Sequence, residues 1–487
     1  MLALAGVMLM VAAACGQKDG VALQTAAGGQ IALPPGAEVD AQGNIIDEDG
    51  KIIGNVNDGG LTGSTGLGGT SGTGSTGTAL GGGGGGDTTG GGGPTSGGGD
   101  SEGGGGDSEG GGGDEKPPPP SSGGNTTGVE GDVIKIGIHA PITGAAPVPS
   151  ASFDKGKDLY WDFIGKGING RGVEVVFRND NYNPSQAVSG CREMVEEEKV
   201  FLLVGIAGTD QIQACARYAA SVGVPYLSAG VTQIGLDTLQ NYFALWLSYP
   251  EQGPLLADLL TTKLGAKDEK NGMLRFNTPT FQDGHDTFIA AMNKAGAEVI
   301  YDRAVSKTSE ASTAQTIATE LNQQQIQNVH VLVSPTFFIQ VAQAAANQRY
   351  FPQWVGYGLT MGIDTVANVA CKNQQSIQNG RFLSPFPAYI DSDRFDPNFR
   401  KAGGTDDLML GLWGSAKVIG EMLKAPGKDL SRERFIAFAQ EGTFKTGVFP
   451  DVKFSPSDHF GGTAMHLLRA ECSQNRYVTE QAFVSNF

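Results

Sequence analysis

The sequence predicts an α/β protein of two lobes, each a mainly parallel sheet flanked by helices, and three observations carry that prediction. From Val133 onward, short apolar runs alternate with segments of helical period, the pattern of parallel strands covered on both faces. The alternation runs through one cycle and restarts near Glu251, so there are two sheets rather than one. Glycine is concentrated upstream: 35 of the 75 glycines fall in residues 54–131, which leaves residues 132–487 as the part able to build cores.

In the first cycle, Val133–His139 reads as a buried strand and Phe153–Ile164 as a helix with Phe153, Leu159, Tyr160, Phe163 and Ile164 inward. Gly172–Arg178 is a strand, and Ser185–Glu197 a helix with Ala187, Val188, Cys191, Met194 and Val195 at helical spacing. Val200–Ile206, Gln211–Ser221 and Val224–Ser228 complete the cycle as strand, helix and strand. The second cycle is Glu251–Leu264 (helix), Gly272–Asn277 (strand), Phe281–Ala295 (helix) and Ala297–Tyr301 (strand). Ala314–Gln324, Val329–Val333, Phe337–Asn347 and Gln353–Tyr357 continue it. A third region holds a strand at Arg381–Ser384, helices near Asp406–Lys424 and Arg432–Glu441, and terminal strands Val452–Phe454, Ala464–Arg469 and Arg476–Thr479. The expected division is 132–248 plus about 380–445 for lobe 1, and about 249–379 plus about 446–487 for lobe 2. Two such sheets leave a crevice at the carboxyl ends of their strands, where ligands bind in folds of this type.

The formal charge of −17 belongs mostly to the upstream tract, since residues 16–131 carry 15 acidic and 3 basic side chains. The remaining 36 acidic and 31 basic residues leave the folded part at −5, with no basic excess for a nucleic-acid backbone. Residues 15–131 read as a solvated tether: polar sequence, then Gly/Ser/Thr, then the repeat DSEGGGG at Asp100 and Asp107, then Pro117–Pro120. As a flexible coil it would reach roughly 60 Å. Phosphate-loop look-alikes inside this tract lack a preceding strand and a following Lys.

Residues 1–14 form an apolar run ending in Ala12-Ala13-Ala14 before Cys15, too short to span a bilayer and suited to a signal peptide. The run resembles the lipobox of bacterial lipoproteins, which implies cleavage before Cys15 and its lipidation; an ordinary secretory signal is the alternative. Position 12 is Ala where that motif usually has Leu. No Lys or Arg precedes the run, so a start upstream of Met1 is expected.

Cys191, Cys215, Cys371 and Cys472 are an even set in an exported chain, which argues for disulfides. Of three possible pairings, Cys191–Cys215 is favoured because right-handed crossovers place those consecutive helices side by side. Cys371–Cys472 is then left. None of the five His residues forms ligand spacing with the cysteines, so no metal or cofactor is expected.

Three stretches carry a family resemblance: Ile134–Gly144 (IKIGIHAPITG), Asp180–Val188 (DNYNPSQAV), and Val204-Gly205 to Thr209 followed by Gly223–Thr232 (GVPYLSAGVT). Gln252-Gly-Pro254 and the Leu410–Leu423 helix also fit. In order and spacing they resemble the type I periplasmic-binding family, in its branched-chain amino-acid-binding branch, over about Val133 to Arg469. The resemblance implies a clamshell of two lobes joined by three hinge strands, closing on a small-molecule ligand and docking on an ATP-driven permease of the ABC transporter class. It implies an extracytoplasmic monomer, here held to the bacterial membrane by the lipid anchor. The ligand's carboxylate would be held by first-lobe hydroxyls and N–H groups, which match Thr209, Gly230, Val231 and Thr232. Thr209 precedes the Gln211–Ser221 helix, whose free N–H groups attract anions; a helix-capping role for Thr209 or Asp210 is the competing reading.

Three features depart from the family. Asp210 replaces a neutral residue, and the second-lobe acid that pairs with an amino acid's ammonium falls at Tyr357 or Gly358. Cleft tyrosines of the family correspond to Phe281 and to Ser334-Pro335-Thr336. Phe153, Phe281 and Tyr357 fit either stacking on a solute or packing in the lobes. The sequence has no Gly-x-Ser-x-Gly elbow, no His-Glu-x-x-His and no Walker loop, and an enzyme is not expected. The function expected is capture of a small polar solute, an amino acid or related amide or carboxylate, for import. A surface sensor signalling to a partner is the alternative.

Overall fold

The computed structural model describes residues 123–357, 364–372 and 374–487, and the backbone of six short strands between Ala22 and Leu61. Cys15, the 1–14 segment and most of the tether lie outside the described residues. The chain divides into two units, Met1–Gly110 and Gly111–Phe487. In the first unit, Ala22–Gln24 pairs antiparallel with Gln30–Ala32. Glu38–Val39, Asn44–Ile46, Ile52–Asn55 and Gly60–Leu61 form a separate four-stranded antiparallel meander. These strands differ from the reading of 15–131 as one structureless tether. The β-forming residues Ile45, Ile46, Ile52 and Ile53 precede the glycine run and favour extended backbone.

The second unit holds both predicted sheets. The first runs Tyr242–Ala244, Tyr226–Ser228, Leu202–Gly205, Val133–Ala140 and Gly172–Asn179, all parallel. Val129–Glu130 adds a short antiparallel pairing at its start. The second sheet runs Val299–Val305, Asn271–Phe276, Asn328–Leu332, Gln353–Tyr357 and Arg381–Ser384 in parallel, then Met465–Glu471 and Arg476–Val484 antiparallel. The central strands are buried along almost their whole length, as fully covered parallel strands must be.

Two features depart from the expected layout. Tyr242–Ala244 is a three-residue edge strand, too short for a period to reveal. Arg381–Ser384 joins the second sheet, between Gln353–Tyr357 and Met465–Glu471, rather than lobe 1. The chain returns to the first lobe only afterwards, as helix Asp407–Lys424, which packs on helix Ser150–Ile164 with Trp413 edge-on to Tyr160 at 5.1 Å. It crosses between lobes three times, near 245–248, 385–406 and 461–464. Two of the crossings lie side by side: Ala244 donates its N–H to the His459 carbonyl and accepts from the Gly461 N–H, both at 2.9 Å.

Both expected disulfides form. Cys191 on helix Pro184–Glu196 reaches Cys215 on helix Thr209–Ser221, with Cα atoms 6.2 Å apart. Cys371 on helix Asp364–Lys372 reaches Cys472, just past strand Met465–Glu471, at 4.8 Å. Their sequence separations are 24 and 101. Loop-closure entropy then corresponds to about 3.5 and about 4.7 kcal/mol of stabilisation. Replacing Cys371 and Cys472 by Ser together should lower the unfolding free energy in urea by about 4–5 kcal/mol. An unchanged midpoint would contradict a covalent tie between helix and terminal hairpin.

Candidate functional site

An open-sided cavity lies between the lobes, with about 70 Å³ of room for the centres of water-sized molecules. Its walls come from the carboxyl ends of strands in both sheets, where the loops of a parallel sheet converge. From the first lobe, Ile206–Thr209 follow Leu202–Gly205 and Ala229–Val231 follow Tyr226–Ser228. From the second, Leu332–Pro335 end strand Asn328–Leu332, Tyr357 ends Gln353–Tyr357, and Phe281 sits in the first turn of helix Pro279–Ala295. Trp246 and Tyr249 enter from the first crossing, and Tyr182 from the turn after Gly172–Asn179.

The first-lobe wall is built from a helix N-terminus and closely packed loop backbone. Gly208, with φ of 86°, is the N-cap of helix Thr209–Ser221, and no side chain caps that end. Thr209 is therefore not the cap: it is the first helical residue, and it is buried. Burial pushes the Tyr249 phenol up to about 12. Gly230 is needed for close approach, since a Cβ there would sit 2.1 Å from the Trp246 carbonyl oxygen.

Two carboxylates flank the cavity, and both are engaged across the cleft. Asp210 of lobe 1 accepts a 2.9 Å bond from the Thr280 hydroxyl and pairs with Lys307, both in lobe 2. The Lys307 ammonium also lies over the rings of Phe281 (5.2 Å) and Tyr182 (5.5 Å). Asp283 of lobe 2 accepts from the Thr232 hydroxyl at 2.5 Å and the Gln233 N–H at 3.0 Å, both in lobe 1. Burial raises the Asp283 carboxyl, opposed by these bonds. The arrangement is reciprocal: each lobe presents an acid that the other lobe's donors satisfy.

Among the described residues, no charged side chain lines the cavity. The segment that follows Tyr357, Gly358–Ile363 (GLTMGI), contains no ionisable residue. The polar atoms on offer are hydroxyls and backbone groups. The Tyr357 hydroxyl is buried and has no hydrogen-bond partner among the described residues, a state that normally costs on the order of 1–3 kcal/mol. Its ring packs against Tyr249 (5.4 Å) and against His330 (4.9 Å), whose nitrogens also have no partner among the described residues.

Of the residues expected at the site, Thr209, Gly230, Val231, Phe281 and Tyr357 line the cavity. Phe153 does not: it is fully buried in lobe 1, with its ring 4.7 Å from that of Phe177. Thr232 is also buried behind the wall, its hydroxyl turned to Asp283 rather than to the cavity. Tyr182, Trp246 and Tyr249 escaped the sequence reading. Tyr182 had a signal, since it lies inside the quoted DNYNP turn, where its φ is 58°. Trp246 and Tyr249 lie beside the short strand Tyr242–Ala244, which has no period of its own. The described residues contain one group of potential metal ligands, His139 with Cys191 and Cys215. Both sulfurs are spent in the disulfide, and the imidazole pairs with Asp180 (2.8 Å) and Tyr226 (2.6 Å).

Two mainly parallel lobes, crossed three times and closing on a neutral cleft at their strand ends, define a two-lobed binder of small solutes. Residues 133–476 match the model of the family described as periplasmic binding protein. The chain belongs to that family, in its type I, branched-chain amino-acid-binding branch, whose members bind solutes outside the cytoplasm and are not enzymes. Leu/Ile/Val-binding protein homolog 3 of Brucella melitensis is 29% identical over 174 residues, 35% of this chain and 46% of that protein. The chain thus matches just under half the length of that relative. Among solved structures, an R. palustris ABC transporter solute-binding protein in complex with benzoate superposes with a TM-score of 0.61 at 18% identity, covering 72% of this chain and 96% of that one. A fatty acid ABC transporter substrate-binding protein from Thermomonospora curvata gives 0.61 at 16%, covering 74% and 95%.

His330, behind Tyr357, generates a pH prediction. Burial holds its imidazole neutral, down to about 3, and that of His466 down to about 4. The unfolded chain takes up these protons near pH 6.5 and the folded chain does not. Stability from both groups is full above that pH and is lost as pH falls toward about 4 and about 3. His285 is raised by its bond to Asp302, so its contribution has the opposite sign, present in acid and lost as pH rises, and the His330→Leu comparison separates the two. The urea midpoint should fall from pH 6.5 to 5, and His330→Leu should remove up to ~1.4 kcal/mol per pH unit of that slope. An unchanged slope in the variant would contradict a buried neutral His330.

Proposed function

We propose that the protein is the solute receptor of an ATP-driven importer, lipid-anchored through Cys15, and that its solute is a small carboxylate with an apolar or aromatic body and no free ammonium. The observation that carries this reading is the engagement of Asp210 and Asp283 in interlobe contacts around a cavity with no charged lining. An ammonium buried there would lose its hydration without meeting a counter-charge. A carboxylate, in contrast, meets the uncapped N-terminus of helix Thr209–Ser221, the Thr209 hydroxyl and the 229–231 backbone. Asp210 in that first turn does not oppose it, because Lys307 neutralises its charge.

The body of the solute lies among Trp246, Tyr249, Phe281 and Tyr357, which suit a flat or branched apolar group. The Tyr357 hydroxyl awaits a polar substituent at the far end. The benzoate held by the R. palustris protein and the fatty acid for which the T. curvata protein is named are ligands of this class. Interlobe contacts favour the closed form before ligand arrives, and a solute touching both lobes adds its differential affinity to theirs.

Calorimetry of the purified chain against benzoate, 4-hydroxybenzoate, leucine and glutamine tests the reading. One aromatic acid should bind per chain, at least about tenfold more tightly than leucine. Tyr357→Phe should weaken 4-hydroxybenzoate by about fivefold, the worth of one hydrogen bond, and leave benzoate unchanged. Tighter binding of leucine would refute the proposed solute class.

A further inference from the structure

Asp210 and Lys307 meet at the rim of the cleft, one from each lobe. Asp210 is the second residue of helix Thr209–Ser221, whose uncapped N-terminus borders the cavity. Lys307 lies two residues beyond strand Val299–Val305 of the second sheet. Both oxygens of the Asp210 carboxylate are taken by lobe 2: Oδ1 accepts from the Thr280 hydroxyl at 2.9 Å, and Oδ2 accepts from the Lys307 ammonium. The same ammonium stands over the rings of Phe281 and Tyr182, two residues that line the cavity. With the Lys307 side chain 18% exposed and that of Asp210 30%, the pair is only partly screened by solvent. Among the described residues, Asp210 forms no ion pair with a cation of its own lobe.

This contact reverses the charge of the helix end. A helix N-terminus presents roughly half a positive elementary charge, confined to its first turn. Asp210 adds a full negative charge in that turn, so lobe 1 alone is about half a unit negative there and repels an anion. Lys307 adds a full positive charge, and the same end becomes about half a unit positive. Exchange of a solute held among residues of both lobes requires the lobes to part, and parting separates Lys307 from Asp210. The site therefore repels a carboxylate when open and attracts it when closed. Asp283 makes the reverse crossing, but its carboxylate is turned to Thr232 and the Gln233 N–H and does not line the cavity.

We propose that Lys307 is a specificity-determining residue: by covering Asp210 only in the closed form, it makes the binding of an anion conditional on closure. The inference rests on the carboxylate reading above and deepens it, by assigning the residue that sets the sign of the charge the carboxylate meets. A neutral solute of the same shape gains only its contacts when the lobes close. A carboxylate gains the charge reversal as well, and so favours the closed form more strongly. By linkage, the bound carboxylate stabilises the Asp210–Lys307 contact by as much as that contact stabilises its binding.

The test is calorimetry of the full chain and its variants with benzoate and 4-methylpentanoate, two carboxylates without an ammonium. Lys307→Met should weaken whichever of them binds by at least about tenfold, because Asp210 then keeps its charge in the closed form. Adding Asp210→Asn to Lys307→Met removes the opposing charge and keeps an oxygen for Thr280; it should restore affinity to within about threefold of the unaltered chain. A residue that merely latched the lobes would not show this rescue, since the double variant lacks the latch too. Lys307→Gln gives the same readout should Lys307→Met not fold, as judged by its urea midpoint. Affinity of the single variant within about twofold of the unaltered chain, or a double variant as weak as the single one, would overturn the role of Lys307 and leave the carboxylate reading intact. Binding of neither acid by the unaltered chain would overturn that reading, and this inference with it.

Discussion

The structure depends on a reciprocal exchange of charge and hydrogen bonds across the cleft. Asp210 reaches from lobe 1 to Thr280 and Lys307, and Asp283 reaches from lobe 2 to Thr232 and the Gln233 N–H. Neither acid is buried without partners, so neither carries the full cost of an isolated buried charge. Both are thereby removed from the list of groups able to meet a ligand. The selectivity of the cavity follows from that removal as much as from what lines it.

The first-lobe wall of the cleft is a consequence of parallel topology. Strands Leu202–Gly205 and Tyr226–Ser228 deliver their loops to one edge, where an uncapped helix end and a close-packed Gly230 meet the cavity. The opposite wall is hydrophobic because lobe 2 contributes Phe281, Leu332, Val333 and Tyr357 from the corresponding edge.

Much of this was legible in the chain before any coordinates. The strand–helix alternation located nearly all the elements of both sheets, because fully buried parallel strands are continuous apolar runs. Both disulfide pairs followed from helix adjacency and elimination. The glycine-bearing loops at 206–209 and 229–231 stood out in the family-like stretches. Contacts set by closure of the cleft were not legible. Asp210 and Lys307 are 97 residues apart, and Thr232 and Asp283 are 51 apart, so neither period nor motif links them. Phe153 has the same apolar signature whether it faces core or cleft, and only packing against Phe177 decides. Arg381–Ser384 is a strand in either lobe, and pairing with Met465–Glu471 assigns it to the second.

The central claim is that the solute carries a carboxylate and no ammonium, and a matched pair isolates it. Leucine and 4-methylpentanoate share one carbon skeleton and one carboxylate, and they differ only in the α-ammonium. Calorimetric titration of the full chain with each should give at least about tenfold tighter binding for 4-methylpentanoate. Equal or tighter binding of leucine would mean that a carboxylate reaches its ammonium after all, and would contradict the account.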